Sequence, residues 1–236
     1  MKTLRDLVEK GLRAGADPLI DLLIRARIHP NVVSTLGFII TCSSGYFFHQ
    51  HHVRIAGFLI LLGGLFDLLD GTVARRTGLA SAFGAFYDST LDRLSEIVVY
   101  LGLLSLYNDY RLVLGDVGMI YAIMLAMAGS LMISYTRARA EGLNVDCYVG
   151  LMQRPERVIL IGVAALAGGE SVMFGHSGFM LRTAIILLAV LTNLTVIQRI
   201  WWVYRNTRPD GVGDAVSPSS AGVAAAEPDT RAAERG

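Results

Sequence analysis

The chain has 236 residues, of which 53% are hydrophobic and 17% are charged, and its formal net charge is +1. A soluble domain of this size carries about 25% charged residues, so the composition excludes a soluble DNA- or protein-binding domain. Apolar runs recur from Val32 to about Trp202, and most are long enough to cross the ~30 Å hydrocarbon core of a bilayer. We therefore expect an all-α, polytopic integral membrane protein that is embedded in the membrane and binds no nucleic acid.

The first predicted element is an N-terminal amphipathic helix on the membrane surface, over residues 1–28 and broken near Pro18. Leu4 and Leu7 lie on one side of this helix, with basic residues opposite them. Pro30 ends this element and precedes the first apolar run, because proline disfavours helical backbone in the residue before it.

Six transmembrane helices follow in one predicted domain, residues 29–206. We place the spans near residues 32–49, 53–75, 82–107, 117–140, 155–174 and 179–204. The last segment, residues 207–236, is rich in Pro, Gly, Ala and Ser and is predicted to be a disordered tail.

The distribution of basic residues predicts the orientation in the membrane. Six spans put both termini on one face, and that face, with the 75–81 and 140–155 loops, carries fifteen Lys and Arg. The opposite loops carry three, namely Arg54, Arg111 and Arg182. By the positive-inside rule the first face is cytoplasmic, in a multi-pass protein of the cell inner membrane or plasma membrane.

Four aspartates interrupt the second and third predicted spans, in the stretch DLLDGTVARRTGLASAFGAFYDSTLD from Asp67 to Asp92. At about 100° per residue, Asp67 and Asp70 share one helical face with two small residues. On the next helix Gly84, Asp88 and Asp92 recur at every fourth residue and form a second stripe. A short turn joins the two helices, so we expect the acidic stripes to face each other at the cytoplasmic end.

These four carboxylates need a compensating cation. One charged carboxylate within a bilayer costs about 2.5–3.5 kcal/mol, and four would cost on the order of 10–14 kcal/mol. One alternative is a structural cluster neutralised by Arg75, Arg76 and Arg93. Divalent cations suit clustered carboxylate oxygens better, and a metal beside glycines and an arginine indicates phosphate chemistry. A spare aspartate can then accept a proton from an attacking hydroxyl.

The same residues match a known family signature. The pattern Asp67-x2-Asp70-Gly71-x2-Ala74-Arg75-x8-Gly84-x3-Asp88-x3-Asp92 resembles that of the CDP-alcohol phosphatidyltransferases at every fixed position and spacing. The wider resemblance covers about residues 25–205. It implies transfer of a phosphatidyl group from CDP-diacylglycerol to an alcohol, with release of CMP, by an enzyme that forms a homodimer.

The resemblance also implies roles for individual residues. The metal ion, Mg²⁺ or Mn²⁺, would be bound by Asp67, Asp70 and Asp88, with Asp92 completing the cluster and acting as the catalytic base. CDP-diacylglycerol would be bound by Asn31, Asp67, Asp70, Gly71, Ala74, Arg75 and Gly84.

Basic residues near the aspartate end of three later helices predict a pocket for an acceptor with its own phosphate, because arginine suits bidentate phosphate recognition. The alternative is that these arginines only anchor helix ends at the cytoplasmic face. The pattern resembles the phosphatidylinositol phosphate synthase branch of the family, which uses inositol 1-phosphate. On that resemblance the acceptor phosphate is bound by Ser134, Arg137, Arg154, Arg157 and Arg199.

Two other functions stay open at this point. Glycerol 3-phosphate, the acceptor of a phosphatidylglycerophosphate synthase, would also bring a phosphate to a basic pocket. A cation transporter is the alternative from a different class. Such a protein would distribute its carboxylates along a pathway through the membrane and would not need the Gly, Ala and Arg spacing.

Overall fold

The computed structural model describes residues 17–108, 116–168 and 178–207, and within these ranges all regular secondary structure is helical. The helices are α1 (17–25), α2 (Pro30–His49), α3 (Val53–Thr77), α4 (Ala82–Tyr107), α5 (Val117–Glu141), α6 (Arg154–Gly168) and α7 (Phe179–Asn206). This confirms the all-α class. Three predicted segments lie outside the described residues: 1–16 of the N-terminal helix, 169–174 of the fifth span, and 208–236 of the tail.

Three of the described helices, α2, α5 and α7, are long and apolar enough to cross a membrane. α3 and α4 have 25 and 26 residues, a sufficient length, but they contain the four aspartates and are not among these three. α6 has 15 residues, from Arg154 to Gly168, and residues 169–177 that follow it are not among those described. The apolar helices indicate a membrane protein, while the count of six spans stays a prediction.

The sequence accounts for the ends of the two helices that carry the aspartates. α3 ends at Thr77 because Gly78 has a φ of 69°, a left-handed conformation that glycine adopts without steric penalty. Ser81 then caps α4, and its side-chain oxygen accepts a hydrogen bond from the N–H of Gly84 at 3.0 Å. Only residues 78–81 separate the helices, so the end of α3 and the start of α4 lie at the same end of the bundle.

α2 lies between the two aspartate-bearing helices and packs against both. Its contact with α4 runs through two glycines, since a Cβ added to Gly102 of α4 would lie 2.6 Å from the Cα of Gly45 of α2. α3 also packs against α6 and α5 against α7, and smaller interfaces join α6 to α7 and α4 to α5. Because α2 contacts both acidic helices, it sets the distance between them.

α1 is attached to the end of α3 that carries the aspartates. Ile20 of α1 is buried in a small apolar cluster with residues of α2 and α3. The buried members of this cluster are Ile20, Val33, Leu69 and Val73. Arg76, in the last turn of α3, donates hydrogen bonds to Asp17 at 2.5 Å and to Asp21 at 3.3 Å. The described part of the N-terminal helix is thus bound to the bundle through both apolar and charged contacts.

The close approach of α2 and α4 leads to a stability prediction. Gly102→Ala is expected to push the helices apart, because the new Cβ would lie 2.6 and 2.7 Å from backbone atoms of Gly45. Overpacking costs about 1–3 kcal/mol, which corresponds to a fall in Tm of about 5 °C for a chain of this size. Thermal unfolding in detergent, followed by circular dichroism, measures the change.

Gly118→Ala is the matched control for this variant. A Cβ added there would meet the side chain of Asp116 at 3.4 Å, an ordinary contact distance. Alanine is therefore expected to leave Tm unchanged or to raise it slightly, by reducing the entropy of the unfolded chain. Equal Tm values for the two variants would contradict the tight glycine contact.

Candidate active site

Three aspartates from α3 and α4 converge at one end of the bundle. Asp67, Asp70 and Asp88 each offer a carboxylate oxygen, and these atoms all lie within 4.8 Å of one another. Oxygens that share one Mg²⁺ at about 2.0–2.1 Å lie up to about 4.2 Å apart, so this arrangement is close to that of a ligand set. We call these three residues the aspartate triad.

Asp70 gives the clearest indication that a cation belongs at the triad. It is 4% exposed, and among the described residues its Oδ2 atom is buried without a hydrogen-bond partner. A buried ionised oxygen is costly unless a cation or a donor compensates it. The hard oxygen donors and this unpaired atom fit a divalent metal ion, which when bound would polarise a phosphate and stabilise a departing oxygen.

Asp92 lies one helical turn after Asp88, but its carboxylate is held differently. Its Oδ1 accepts a hydrogen bond from Nη2 of Arg154 at 2.7 Å. Nη1 of the same guanidinium donates to Oδ2 of Asp67. Arg154, the first residue of α6, therefore connects the two acidic helices, and Asp92 is not one of the three residues of the triad.

Glu96 is an acidic residue that the sequence analysis missed. It follows Asp92 by four residues and so continues the acidic stripe of α4, a spacing that could have revealed it. Its two carboxylate oxygens accept hydrogen bonds from Nε and Nη2 of Arg157 at 2.7 and 3.0 Å. Arg157 is 2% exposed and also donates to the carbonyl oxygen of Met152 at 3.2 Å. α4 and α6 are thus joined by two successive acid–arginine pairs.

The residues predicted to accommodate the nucleotide form two local contacts. On α3, a Cβ added to Gly71 would lie 3.4 Å from Nη1 of Arg75, so the guanidinium lies near this glycine. A Cβ added to Gly84 of α4 would lie 3.4 Å from Oδ1 of Asn31 on α2. Ala74, the third small residue of the stretch, is partly exposed on α3. The glycines therefore leave space next to a donor group on one side and an amide on the other.

A cavity of about 530 Å³ lies beside the aspartates, and we call it the arginine cavity. Its lining includes Arg93 and all five residues predicted to bind an acceptor phosphate, namely Ser134, Arg137, Arg154, Arg157 and Arg199. Asp92, Glu96 and Glu141 line the same cavity. Because Asp92 follows Asp88 by one turn of α4, the cavity is adjacent to the aspartate triad.

The arginines of the cavity differ in how they are held. Arg199 is 3% exposed, and it donates from Nε to the carbonyl oxygen of Val149 at 2.9 Å and from Nη1 to that of Ile133. Arg137 is half-exposed and pairs with Glu141 at 2.8 Å. A guanidinium has five N–H donors, so an arginine that is anchored to the protein keeps further donors for an anion in the cavity.

Comparison with known proteins identifies the family. The family described as CDP-alcohol phosphatidyltransferase matches residues 27–203. The chain belongs to this family. The CDP-alcohol phosphatidyltransferase signature in the sequence is thereby confirmed, and the protein is a metal-dependent transferase of phospholipid biosynthesis. Membership in an enzyme family leaves no support for the cation-transporter alternative.

Two curated relatives of this phosphatidyltransferase match over most of their lengths. Archaetidylinositol phosphate synthase of Methanothermobacter thermautotrophicus is 36% identical over 197 residues, which are 84% of this chain and 92% of the relative. Phosphatidylinositol phosphate synthase of Mycobacteroides abscessus is 34% identical over 212 residues, 89% of this chain and 92% of the relative.

Crystal structures of the phosphatidylinositol phosphate synthase of Mycobacterium tuberculosis share the fold. The structure with CDP-DAG bound has a TM-score of 0.71 and 29% identity, and the match covers 85% of this chain and 98% of that one. The structure in complex with manganese and citrate has a TM-score of 0.70 and 29% identity, with coverage of 84% and 92%. Manganese in this relative agrees with the divalent ion that the aspartate triad fits.

Proposed function

We propose that this phosphatidyltransferase transfers the phosphatidyl group of CDP-diacylglycerol to inositol 1-phosphate and releases CMP. The observation that carries this proposal is the arginine cavity, which is lined by five arginines and adjoins the aspartate triad. An acceptor with its own phosphate matches this charge, because guanidinium groups bind phosphate oxygens in a bidentate manner. Free inositol or serine would need fewer arginines.

For the metal ion, we propose Mg²⁺ or Mn²⁺ bound by Asp67, Asp70 and Asp88. The unpaired Oδ2 of Asp70 supports this assignment. Asp92 completes the ligand set during turnover and acts as the base. Its position on the cavity wall, one turn from Asp88, supports the second role, because a base must lie within hydrogen-bond reach of the hydroxyl it deprotonates.

For the donor, we propose that the cytidine diphosphate moiety lies against the small residues of α3 and α4. The full set is Asn31, Asp67, Asp70, Gly71, Ala74, Arg75 and Gly84, of which Asp67 and Asp70 would also hold the metal ion. The space at Gly71 beside Arg75, and at Gly84 beside Asn31, supports this placement. Any larger side chain at these two positions would occupy the room that the nucleotide requires.

The reaction joins the donor and acceptor sites. A hydroxyl oxygen of the acceptor attacks the phosphorus attached to diacylglycerol, and the bond from that phosphorus to the CMP oxygen breaks. CMP leaves with the electron pair of the broken bond, and the hydroxyl proton passes to Asp92. Arg137, Arg154, Arg157, Arg199 and Ser134 hold the acceptor phosphate and so orient the hydroxyl toward the donor.

The names of the relatives favour inositol 1-phosphate over glycerol 3-phosphate. The archaeal relative is named for archaetidylinositol phosphate and the bacterial one for phosphatidylinositol phosphate, so the two product names share the inositol phosphate part while the lipid part differs. Glycerol 3-phosphate is the second candidate, because the charge of the cavity suits its phosphate equally well.

In the membrane, we propose six spans within residues 29–206, with the N-terminal segment 1–28 and the C-terminal segment 207–236 on the cytoplasmic side. The excess of Lys and Arg on the face of the aspartate triad supports a cytoplasmic active site and cytoplasmic termini. The family resemblance supports a homodimer.

Product analysis tests the acceptor. The purified protein in detergent receives CDP-diacylglycerol and Mn²⁺, and inositol 1-phosphate, glycerol 3-phosphate, inositol and serine are offered separately. We expect CMP release and a new lipid with inositol 1-phosphate, at a kcat/KM at least about a hundredfold above that of the other three, a factor typical of a lost set of polar contacts. Asp92→Asn protein controls for contaminating enzymes, and faster turnover of glycerol 3-phosphate would contradict the assignment.

A further inference from the structure

The guanidinium of Arg154 lies between two carboxylates that the proposed reaction needs. Nη1 donates to Oδ2 of Asp67 and Nη2 donates to Oδ1 of Asp92, the latter at 2.7 Å. All three side chains are partly buried, so the bridge is weakly screened by water. Arg154 also lines the arginine cavity, so its side chain borders both the carboxylates and the acceptor site.

This bridge conflicts with metal binding at the same carboxylates. Asp67 is a member of the aspartate triad, so a divalent ion there would be ligated by the carboxylate that already accepts from Arg154. The ion and the guanidinium are both positive, and at a separation of a few ångströms in a partly buried site they repel each other strongly. The ion and the Arg154 guanidinium therefore cannot both bind the Asp67 carboxylate strongly.

α6 is held in place next to Arg154 by the contacts of a different arginine. Arg157, three residues further along α6, is fixed by Glu96 and by the carbonyl oxygen of Met152. Arg154 is the first residue of α6, next to the positive end of the helix dipole. The positive end of the helix repels an unpaired guanidinium. Once Arg154 leaves its acidic partners, a bound anion therefore stabilises it there.

We propose that Arg154 and the divalent metal ion compete for Asp67, and that metal binding breaks the Arg154 bridge and releases its guanidinium into the arginine cavity. The released guanidinium then binds the phosphate of the acceptor, so metal ion and acceptor promote each other's binding. The competition follows from the geometry of the carboxylates alone. The acceptor half of the proposal rests on the proposed function.

The competition is tested by Mn²⁺ binding without any substrate. Free Mn²⁺ is measured by electron paramagnetic resonance during titration of wild-type, Arg154→Met and Arg137→Met proteins in detergent. We expect Arg154→Met to lower the Kd for Mn²⁺ about tenfold or more, since a like charge next to a divalent ion is worth at least one factor of ten. Arg137→Met removes the same charge from the same cavity, but Arg137 pairs with Glu141. It is expected to change the Kd by less than about threefold.

Arg154→Lys provides a second variant that keeps the charge in case the methionine protein folds poorly. A lysine cannot bridge two carboxylates in the way a planar guanidinium does, so this variant is expected to bind Mn²⁺ more tightly than wild type. If neither position-154 variant binds Mn²⁺ more tightly than the Arg137→Met protein, the competition is disproved. Weaker binding than wild type would show that Arg154 organises the carboxylates instead.

The coupling is tested with inorganic phosphate, by equilibrium dialysis with and without Mn²⁺. In wild type, Mn²⁺ is expected to raise the affinity for phosphate about fivefold or more, and phosphate must raise the Mn²⁺ affinity by the same factor. In Arg154→Met the factor is expected to fall to about one. A coupling that survives in Arg154→Met would mean that phosphate ligates the metal directly, and the release of Arg154 would be disproved.

The two experiments separate the failure of this inference from failure of the proposed function. If wild type binds no phosphate in either condition, the acceptor site of the proposed function is wrong, and so is the coupling. The Mn²⁺ titrations still decide the competition in that case, because they involve no acceptor.

Discussion

Asp92→Asn is expected to lower kcat by about a thousandfold while Mn²⁺ binding survives. The asparagine amide can still accept a hydrogen bond from Arg154 but cannot accept the proton of the acceptor hydroxyl, and a positioned base contributes about 10²–10⁴ in rate. The three carboxylates of the aspartate triad can hold the ion without substrate, and Asp92 joins the ligand set only during turnover, so the binding of Mn²⁺ alone is expected to survive. Single-turnover release of CMP measures the chemical step, and titration with Mn²⁺ measures the metal affinity.

Asp88→Asn is the matched comparison on the same helix. Asp88 belongs to the triad, so its amide variant is expected to lose Mn²⁺ binding and turnover together, because an amide oxygen lacks the charge that the ion requires. If Asp92→Asn loses Mn²⁺ as completely as Asp88→Asn, Asp92 is chiefly a metal ligand and the base must be sought elsewhere.

Glu96→Leu is expected to destabilise the fold by about 3–5 kcal/mol, because it leaves the guanidinium of Arg157 buried without its carboxylate. Arg157 is 2% exposed, so little water reaches the guanidinium to replace the lost partner. At about 2–4 °C per kcal/mol, the Tm in detergent should fall by about 10 °C. Thermal unfolding followed by circular dichroism measures this without reference to catalysis.

Two further variants test whether the loss of stability arises because the Glu96–Arg157 pair is buried. The double variant Glu96→Leu/Arg157→Met removes both charges and is expected to recover most of the lost stability, since apolar side chains of similar volume replace buried ion pairs without great cost. Glu141→Gln removes the partner of Arg137 in a pair that is about half-exposed, with exposures of 45% and 46%. It should shift Tm by at most about 2–4 °C, because exposed pairs contribute about 0–1 kcal/mol. Similar shifts for Glu96→Leu and Glu141→Gln would refute the special role of the buried pair.

Helical periodicity predicted two facing stripes with four aspartates, and three of these, Asp67, Asp70 and Asp88, meet in the aspartate triad. Asp67 and Asp70 share a face of α3, Asp88 lies on the matching stripe of α4, and the glycine after α3 indicates a turn too short to separate them. These inferences depend on local geometry, which the spacing of residues in the chain determines. The family signature could be recognised for the same reason, since its fixed positions all lie within this pair of helices.

The partners of the arginines could not be predicted from the sequence. The guanidinium of Arg154 reaches α3 and α4 from α6, and that of Arg157 reaches Glu96, which lies 61 residues earlier. Which acidic residue each arginine meets depends on how α6 is placed by its packing against α3 and α7, a property of the whole bundle. Periodicity on α4 alone could have identified Glu96 as a candidate, but not its partner.

Hydropathy alone also does not determine the number of membrane-spanning helices in this chain. The two helices that carry the site, α3 and α4, are those whose polar residues lower the apolar signal. In α2, α5 and α7 that signal is clear. The chemistry of the site therefore obscures the membrane pattern in the helices that the reaction requires.

The attachment of α1 has a practical consequence for shortened versions of the chain. Ile20 occupies an apolar cluster with Leu69 and Val73, which flank Asp70 along α3, and Arg76 is paired with Asp17 and Asp21. Trimming the amino terminus beyond residue 16 would expose this cluster and loosen the last turns of α3. Truncated or fusion proteins made for crystallisation should therefore retain residues 17–25, although none of these residues touches a substrate in the proposed reaction.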